Sequence, residues 1–259
     1  MSSAIILRFV VSEKDKETLS EIVYDTKDIS DDFFDYSKVI VKKPWGYEYL
    51  IFENESVAVW ILYLKPGALT SMHCHPHKRT SLVVLEGSVE CSSLKGKFER
   101  TSGEALMIDQ GAFHQTRSLS ESGAFVMEIE TPVNKRDLVR LKDKYGRKGK
   151  GYEKSDKYSA NLKNYNYLSL QTTENPYNLK KQFGQCSLIF KKISRSQGID
   201  ELFTLNKEDV VSVLRGQILD QNGKTVVEVG DTIIVEDLRK EDRPHVAHYA
   251  EILITKKLD

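Results

Sequence analysis

Residues 84–109, "VLEGSVECSSLKGKFERTSGEALMID", and residues 213–237, "VLRGQILDQNGKTVVEVGDTIIVED", carry one order of features: strand, Gly, strand, a turn with Gly-Lys, strand, Gly-acid, strand. The register aligns Gly87 with Gly216 and Gly103 with Gly230. A β unit present twice predicts two related β domains, because each copy must bury its own apolar strands. At 259 residues the chain is long enough to hold two modest cores.

Around the repeat, residues 39–131 alternate β-branched and aromatic runs ("YEYLIF", "VAVWILYL", "SLVVLEGSVE", "EALMI", "AFVMEIE") with Gly, Pro, Asn and Ser turns. This predicts an all-β block, a barrel or a sandwich. Residues 12–23 carry few helix breakers, and Ser12 with Asp15 forms a loose capping box, so a short helix is expected before the block. Residues 25–36, with five aspartates, read as an acidic connector. Residues 133–158 hold ten Lys or Arg against four Asp or Glu and are expected to be solvated surface. Residues 159–182 are rich in Asn and Tyr, which suits a linker or a loop draped over a neighbour. The expected division is an N-terminal extension at 1–38, a first β domain at 39–148, a linker at 149–182 and a second β domain at 183–259.

Acidic and basic side chains number 38 each, so no overall field draws the chain to nucleic acid or an anionic membrane. The apolar run near the N-terminus is too short for a signal segment, and no stretch reaches membrane-spanning length. Three cysteines, an odd number, argue against a disulfide framework and for a reduced, cytoplasmic protein.

The stretch "SMHCHPHKRT" at 71–80 places His73, His75 and His77 at alternate positions. In a strand, His73 and His75 face one side and Cys74 the other. Two imidazoles make half a metal site, and His114, in "DQGAFHQTRS", is the candidate to close it from a neighbouring strand. His77 is a possible extra ligand, although Pro76 disturbs the alternation before it. The alternative is a set of surface or turn histidines. In the second repeat the positions corresponding to His73 and His75 fall near Leu202 and Thr204, so a metal site would not be duplicated. His245 and His248 lack neighbouring ligand candidates and read as surface or structural.

The spacing of Gly67, His73, His75, Gly87, Gly103 and His114 resembles the two signatures of the cupin superfamily. The resemblance implies a double-stranded β-helix (jelly-roll) barrel whose histidines hold one divalent metal. The repeat then implies a bicupin with a short α-helical extension. The family's glutamate position falls on Thr80, so the implied ligands are three histidines plus water or substrate. "KPWGYEYLI" at 43–51 and "MEIETPVNKRDLVRLKDKYGR" at 127–147 look like the edges of mannose-6-phosphate isomerase-type cupins. That likeness covers about residues 41–148.

Sugar isomerisation needs a Lewis acid, a proton-transfer group and a cationic cradle for phosphate. Zn, Fe, Mn, Ni and Co would all accept imidazole, so the metal is not readable. Glu128 and Glu130 share one strand face and are candidates for the base; the alternative is a solvated face. Lys78, Arg79, Arg117 and Arg140 are candidates to grip phosphate, Lys78 and Arg79 foremost because they follow the ligand strand. Trp45 is a candidate to stack on a sugar or base ring, or else a core residue. The leading expectation is a metal-dependent isomerase or epimerase of a phosphorylated or nucleotide-linked sugar in surface polysaccharide biosynthesis. A three-histidine non-haem iron dioxygenase and a non-catalytic sugar-binding bicupin are the alternatives. A homodimer is expected from the habit of such barrels to pair through sheet edges.

Overall fold

The computed structural model describes residues 5–24, 34–153, 155–171, 173–177, 179–194 and 199–258. The N-terminal arm consists of β1 (Ile6–Phe9) and helix α1 (Glu13–Ser20). The first barrel is built from β2 (Ile40–Lys43), β3 (Gly46–Glu53), β4 (Ala58–Leu64), β5 (Met72–Cys74), β6 (Arg79–Glu86), β7 (Ser88–Ser93), β8 (Lys97–Thr101), β9 (Ala105–Ile108), β10 (His114–Ser118), β11 (Ala124–Thr131), β12 (Val139–Lys142) and β13 (Tyr158–Ser159). Its strands form an eight-stranded sheet in the order β1-β9-β6-β11-β4-β3-β2-β13, faced by a five-stranded sheet in the order β12-β5-β10-β7-β8. From β4 to β12 the chain passes back and forth between the two sheets, with β7 and β8 a hairpin within one of them, which is the double-stranded β-helix.

The second barrel comprises β14 (Lys180–Phe183), β15 (Cys186–Ser194), β16 (Val210–Arg215), β17 (Ile218–Leu219), β18 (Thr225–Val227), β19 (Thr232–Ile234), helix α2 (Val235–Leu238), β20 (His245–Val246) and β21 (Tyr249–Lys257). Its sheet orders, β14-β15-β21-β16-β19 and β18-β17-β20, repeat β3-β4-β11-β6-β9 and β8-β7-β10 of the first barrel. The aligned glycines share a left-handed backbone: Gly87 and Gly216 at φ of 80° and 75°, Gly103 and Gly230 at 86° and 87°. The chain is therefore a duplicated barrel.

Why the apolar runs are continuous rather than alternating follows from the packing. Along β4, Ala58, Trp60, Leu62 and Leu64 point into the first barrel, while Val59 and Ile61 point out into a second core. That second core also holds Leu188, Phe190, Val210 and Leu253, so the two large sheets pack face to face between the barrels. Strands buried on both faces lose the polar alternation of half-exposed ones. Each such Leu or Phe contributes about 1.5–3 kcal/mol by leaving water.

The copies differ where chemistry begins. No strand equivalent to β5 is present in the second barrel among the described residues; a 3-10 turn, Asp200–Thr204, occupies that place with Leu202 buried. Glu128 pairs with Leu82, five residues before Gly87, and its counterpart Ile254 pairs with Val211, five residues before Gly216. Ile254 and Leu202 belong to an apolar core that fills the second barrel.

Three expectations need correction or qualification. The N-terminal arm is more than an appendage, since β1 extends the large sheet parallel to β9. Residues 133–158 are not uniformly solvated, because Lys135, Asp137 and Arg140 are buried. The described residues of 159–182 drape over the first barrel, with Leu168 and Leu170 in the inter-barrel core and the Leu170 amide donating to the Ile51 carbonyl at 2.7 Å. Of the acidic connector, residues 25–33 lie outside the described residues.

Candidate metal centre

β5 presents His73 toward the barrel interior, and His75 follows at its end. β10 enters antiparallel to β5 with His114 directly opposite His73. The ring centroids lie 4.3 Å apart for His73 and His114, 5.0 Å for His73 and His75, and 5.3 Å for His75 and His114. One ring nitrogen from each falls within 4.8 Å of the others, and Cys74 points the opposite way into a core with Phe113 and Val139.

Backbone carbonyls fix the tautomers. A carbonyl only accepts, so each Nδ1 must donate: His73 to Ser71 O at 2.8 Å, His75 to Asp137 O at 2.5 Å and His114 to Ala112 O at 3.1 Å. Each Nε2 is then a bare lone pair. Burial, reinforced by His114, holds His73 well below the usual imidazole value; burial with Lys78 does the same for His75, and burial brings His114 down to about 4. His75 Nε2 is buried without a hydrogen-bond partner. An orphaned buried acceptor costs about 1–3 kcal/mol, which a cation held by the three rings would remove. Three neutral, oriented nitrogen donors fit a first-row divalent metal.

The wall facing the histidines is charged. Glu128 and Glu130 point inward from β11, and Lys135 reaches both from the loop beyond, 3.6 Å from Glu128 and 3.0 Å from Glu130. Lys135 also lies 3.3 Å from Glu48 and 3.8 Å from the centre of the Trp60 ring. Lys78 approaches the same Glu130 oxygen at 3.0 Å, leaving the other carboxylate oxygen buried and unpartnered. Burial pushes Glu128 above the usual carboxylate range against the pull of Lys135. Burial acts likewise on Glu130, but Lys135 and Lys78 outweigh it and hold Glu130 below that range. Two neighbouring carboxyls are thus driven apart in proton affinity, the arrangement acid–base pairs use.

The connection from β12 to β13 brings Tyr152 to the cavity. Tyr152 donates its hydroxyl to Glu48 and lies under Lys43, whose Nζ is 3.8 Å from the ring centre. Glu153 pairs with Lys43 and Arg147 and lies 3.7 Å from Arg140. Arg140 donates to the carbonyls of Lys150 and Gly151 at 2.5 Å each. The cavity measures about 60 Å³ and is lined by the three histidines, Trp45, and four cations (Lys43, Lys78, Lys135, Arg140) against three carboxylates (Glu48, Glu128, Glu130).

The sequence candidates divide accordingly. His73, His75, His114, Glu128, Glu130, Lys78, Arg140 and Trp45 converge on the cavity. Arg79 does not: it turns to the second barrel, pairing with Glu228 and donating to Val229 O at 2.6 Å. Arg117 is exposed on the outer face of β10. His77 sits in the turn after Pro76 with its side chain 61% exposed and Nδ1 3.0 Å from Asp137, away from the other rings. Glu48, Lys135, Asp137 and Tyr152 were not anticipated. Asp137 is fully buried, takes the His77 and Lys78 amides on its carboxylate at 2.8 and 2.9 Å, and so shapes the turn between His75 and Lys78. Glu48 falls within "KPWGYEYLI", and Lys135 and Asp137 within "MEIETPVNKRDLVRLKDKYGR", but neither stretch gives them a place in the cavity.

Residues 34–143 match the family model described as mannose-6-phosphate isomerase C-terminal. The chain is 28% identical over 109 residues to a mannose-1-phosphate guanylyltransferase from Klebsiella pneumoniae, which covers 41% of this chain and 23% of the relative. It is 25% identical over 109 residues to the alginate biosynthesis protein AlgA of Pseudomonas fluorescens, again 41% of this chain and 23% of the relative. The chain thus spans about a quarter of the length of these curated relatives. Among solved structures it is similar to a cupin-superfamily sugar phosphate isomerase from Silicibacter pomeroyi, at 15% identity and a TM-score of 0.32, over 43% of this chain and 76% of that one. A match to KdgF from Halomonas has 18% identity and a TM-score of 0.34, over 35% of this chain and 82% of that one. The strand order is that of a cupin barrel, and residues 34–143 of it match the mannose-6-phosphate isomerase C-terminal model.

Proposed function

We propose that the first barrel holds one divalent metal ion on His73, His75 and His114 and isomerises or epimerises a phosphorylated or nucleotide-linked sugar. The observation that carries this reading is the pairing of three Nδ1-anchored imidazoles with two inward carboxyls of opposed proton affinity in one cavity. The names of the relatives, which concern mannose phosphates and polysaccharides, support the substrate class.

When bound, the metal supplies a Lewis acid that polarises a sugar carbonyl. Glu130, kept ionised by Lys135 and Lys78, accepts the proton from the carbon beside that carbonyl. Glu128, which burial raises to about 7, gives a proton to the former carbonyl carbon; the hydroxyl proton passes between the two substrate oxygens, and proton exchange with water restores the pair. Lys43 and Arg140 at the mouth attract the anionic end of the substrate. The cavity of about 60 Å³ is far below the roughly 300 Å³ or more that small-molecule pockets occupy, so a sugar phosphate enters with Tyr152 displaced.

The test is metal analysis of protein purified without an affinity tag, repeated on His75→Ala, followed by NMR of hexose 6-phosphates in D2O. Near-stoichiometric metal lost in the variant, with deuterium entering beside the sugar carbonyl, is the expected result. No metal in the wild type sinks the proposal. Iron with oxygen uptake and no deuterium incorporation would favour the dioxygenase alternative.

A further inference from the structure

The turn at residues 109–113 joins β9 to β10 and delivers His114, and its contacts run outside the barrel. The Gly111 amide donates to the His75 carbonyl at 2.8 Å, and Ala112 supplies the carbonyl that orients His114. The turn is therefore tied to two of the three imidazoles. Its other side is held by the N-terminal arm. β1 pairs parallel with β9 up to Phe9–Ile108, the Asp109 amide donates to Phe9 O at 3.0 Å, and Arg8 pairs with Asp109 at 2.8 Å.

Asp15 makes the last of these contacts. It lies in the first turn of α1, is 5% exposed, and uses both carboxylate oxygens. Oδ2 accepts the Ser12 amide at 2.8 Å and the Ser12 hydroxyl at 2.5 Å, closing the capping box. Oδ1 accepts the amide of Phe113, the residue before His114, at 3.1 Å. A capping box needs no partner outside its helix, so this second contact is an addition. Phe113 is itself fully buried, and its amide would lack a partner without Asp15. The arm lies outside residues 34–143, so the family match does not account for it.

We infer that Asp15 is a positioning residue for the metal centre: through the Phe113 amide it sets the backbone that aims His114. The inference rests on the reading of His73, His75 and His114 as metal ligands. Loss of a hydrogen bond that orients a ligand typically weakens metal affinity about tenfold or more.

The probe is Co(II) added to metal-stripped full-length protein, with affinity measured by competition against a chromophoric chelator and ligand geometry by visible absorption. Asp15→Ala is expected to weaken Co(II) binding about tenfold and to shift the visible bands. Ser12→Ala, which damages the cap but leaves Asp15 Oδ1 on Phe113, is expected to lower Tm with Kd and spectrum unchanged. Co(II) bound alike by wild type and Asp15→Ala overturns the brace alone; equal weakening by Ser12→Ala overturns it too, because helix stability would then be the cause. Wild type that takes up no Co(II) overturns the triad reading and the brace with it. A variant-free measurement guards against misfolding of Asp15→Ala. Coupling is reciprocal, so Co(II) must slow hydrogen exchange of the Phe113 and α1 amides in the wild type, and unchanged exchange there refutes the inference.

Discussion

Lys135→Met removes the cation that Glu48, Glu128 and Glu130 share while keeping an unbranched side chain over the Trp60 ring. Removing one partner of a buried charge pair typically costs about 3–5 kcal/mol, because the other charge stays buried. The lower end applies here, since Lys78 remains 3.0 Å from Glu130 and Lys43 remains 3.3 Å from Glu48. Without Lys135, Glu130 loses the larger of the cationic influences that hold it below the carboxylate range, and Glu128 rises further. Each unit of upward shift is worth about 1.4 kcal/mol. A carboxyl raised in the folded state binds more protons than in the unfolded chain, so the variant's stability falls as pH rises. In the wild type Glu130 is lowered, and its contribution is present above the unfolded carboxylate value and lost as pH falls through the folded one. The deficit is therefore about 3 kcal/mol at pH 8, roughly 6–12 °C in Tm for a chain of this size. At pH 5 it shrinks, because the carboxyls raised in the variant take up protons there, but it does not vanish, because the wild-type Glu130 contribution is still present above the unfolded carboxylate value. Thermal unfolding of metal-free wild type and variant at both pH values measures this. An equal loss at pH 5 and pH 8 would refute the charge argument and assign the role of Lys135 to packing.

Tyr152→Ala opens the barrel mouth, so a chelator should strip metal from it several times faster than from the wild type; an unchanged stripping rate would mean that Tyr152 covers nothing. Arg79→Ala removes contacts to Glu228 and Val229 between the barrels and should cost about 1 kcal/mol of stability while metal affinity stays at the wild-type value, as titration against a chelator would show. Gly46→Ala places a Cβ 1.8 Å from the Tyr63 carbonyl oxygen at a φ of 152°, so soluble expression at 37 °C should collapse, and a folded variant with the wild-type Tm would contradict the packing of β3 on β4.

Much of this molecule is legible from residue order alone, and strand parity explains both the successes and one failure. The repeat and its glycines give the duplicated barrel because glycine alone adopts the left-handed turn without strain at both aligned pairs. His73 and His75 separate from Cys74 by the same alternation that the structure displays. Parity also separates adjacent cations: with Lys78 inside, Arg79 at the next position faces the other barrel, and with His114 inside, Arg117 three positions on faces out. Position beside the ligand strand points to Arg79, and charge to Arg117, but strand parity overrides both. Tyr152, Glu153 and Asp15 were not readable in this way, because each reaches the site from a loop or helix outside the strands and no local period marks such a contact.

The segment that carries Tyr152 continues directly into β13, which pairs with β2, and then into Leu168 and Leu170, which are clamped between the barrels. Any displacement of Tyr152 is thus levered against a fixed post. The copy that has Leu202 and Ile254 where the other has its histidine strand and inward glutamate packs against Leu168 and Leu170, and so anchors the segment that follows Tyr152. Mutations that loosen the inter-barrel core should then be felt first as a leak at a mouth on the far side of the sheet.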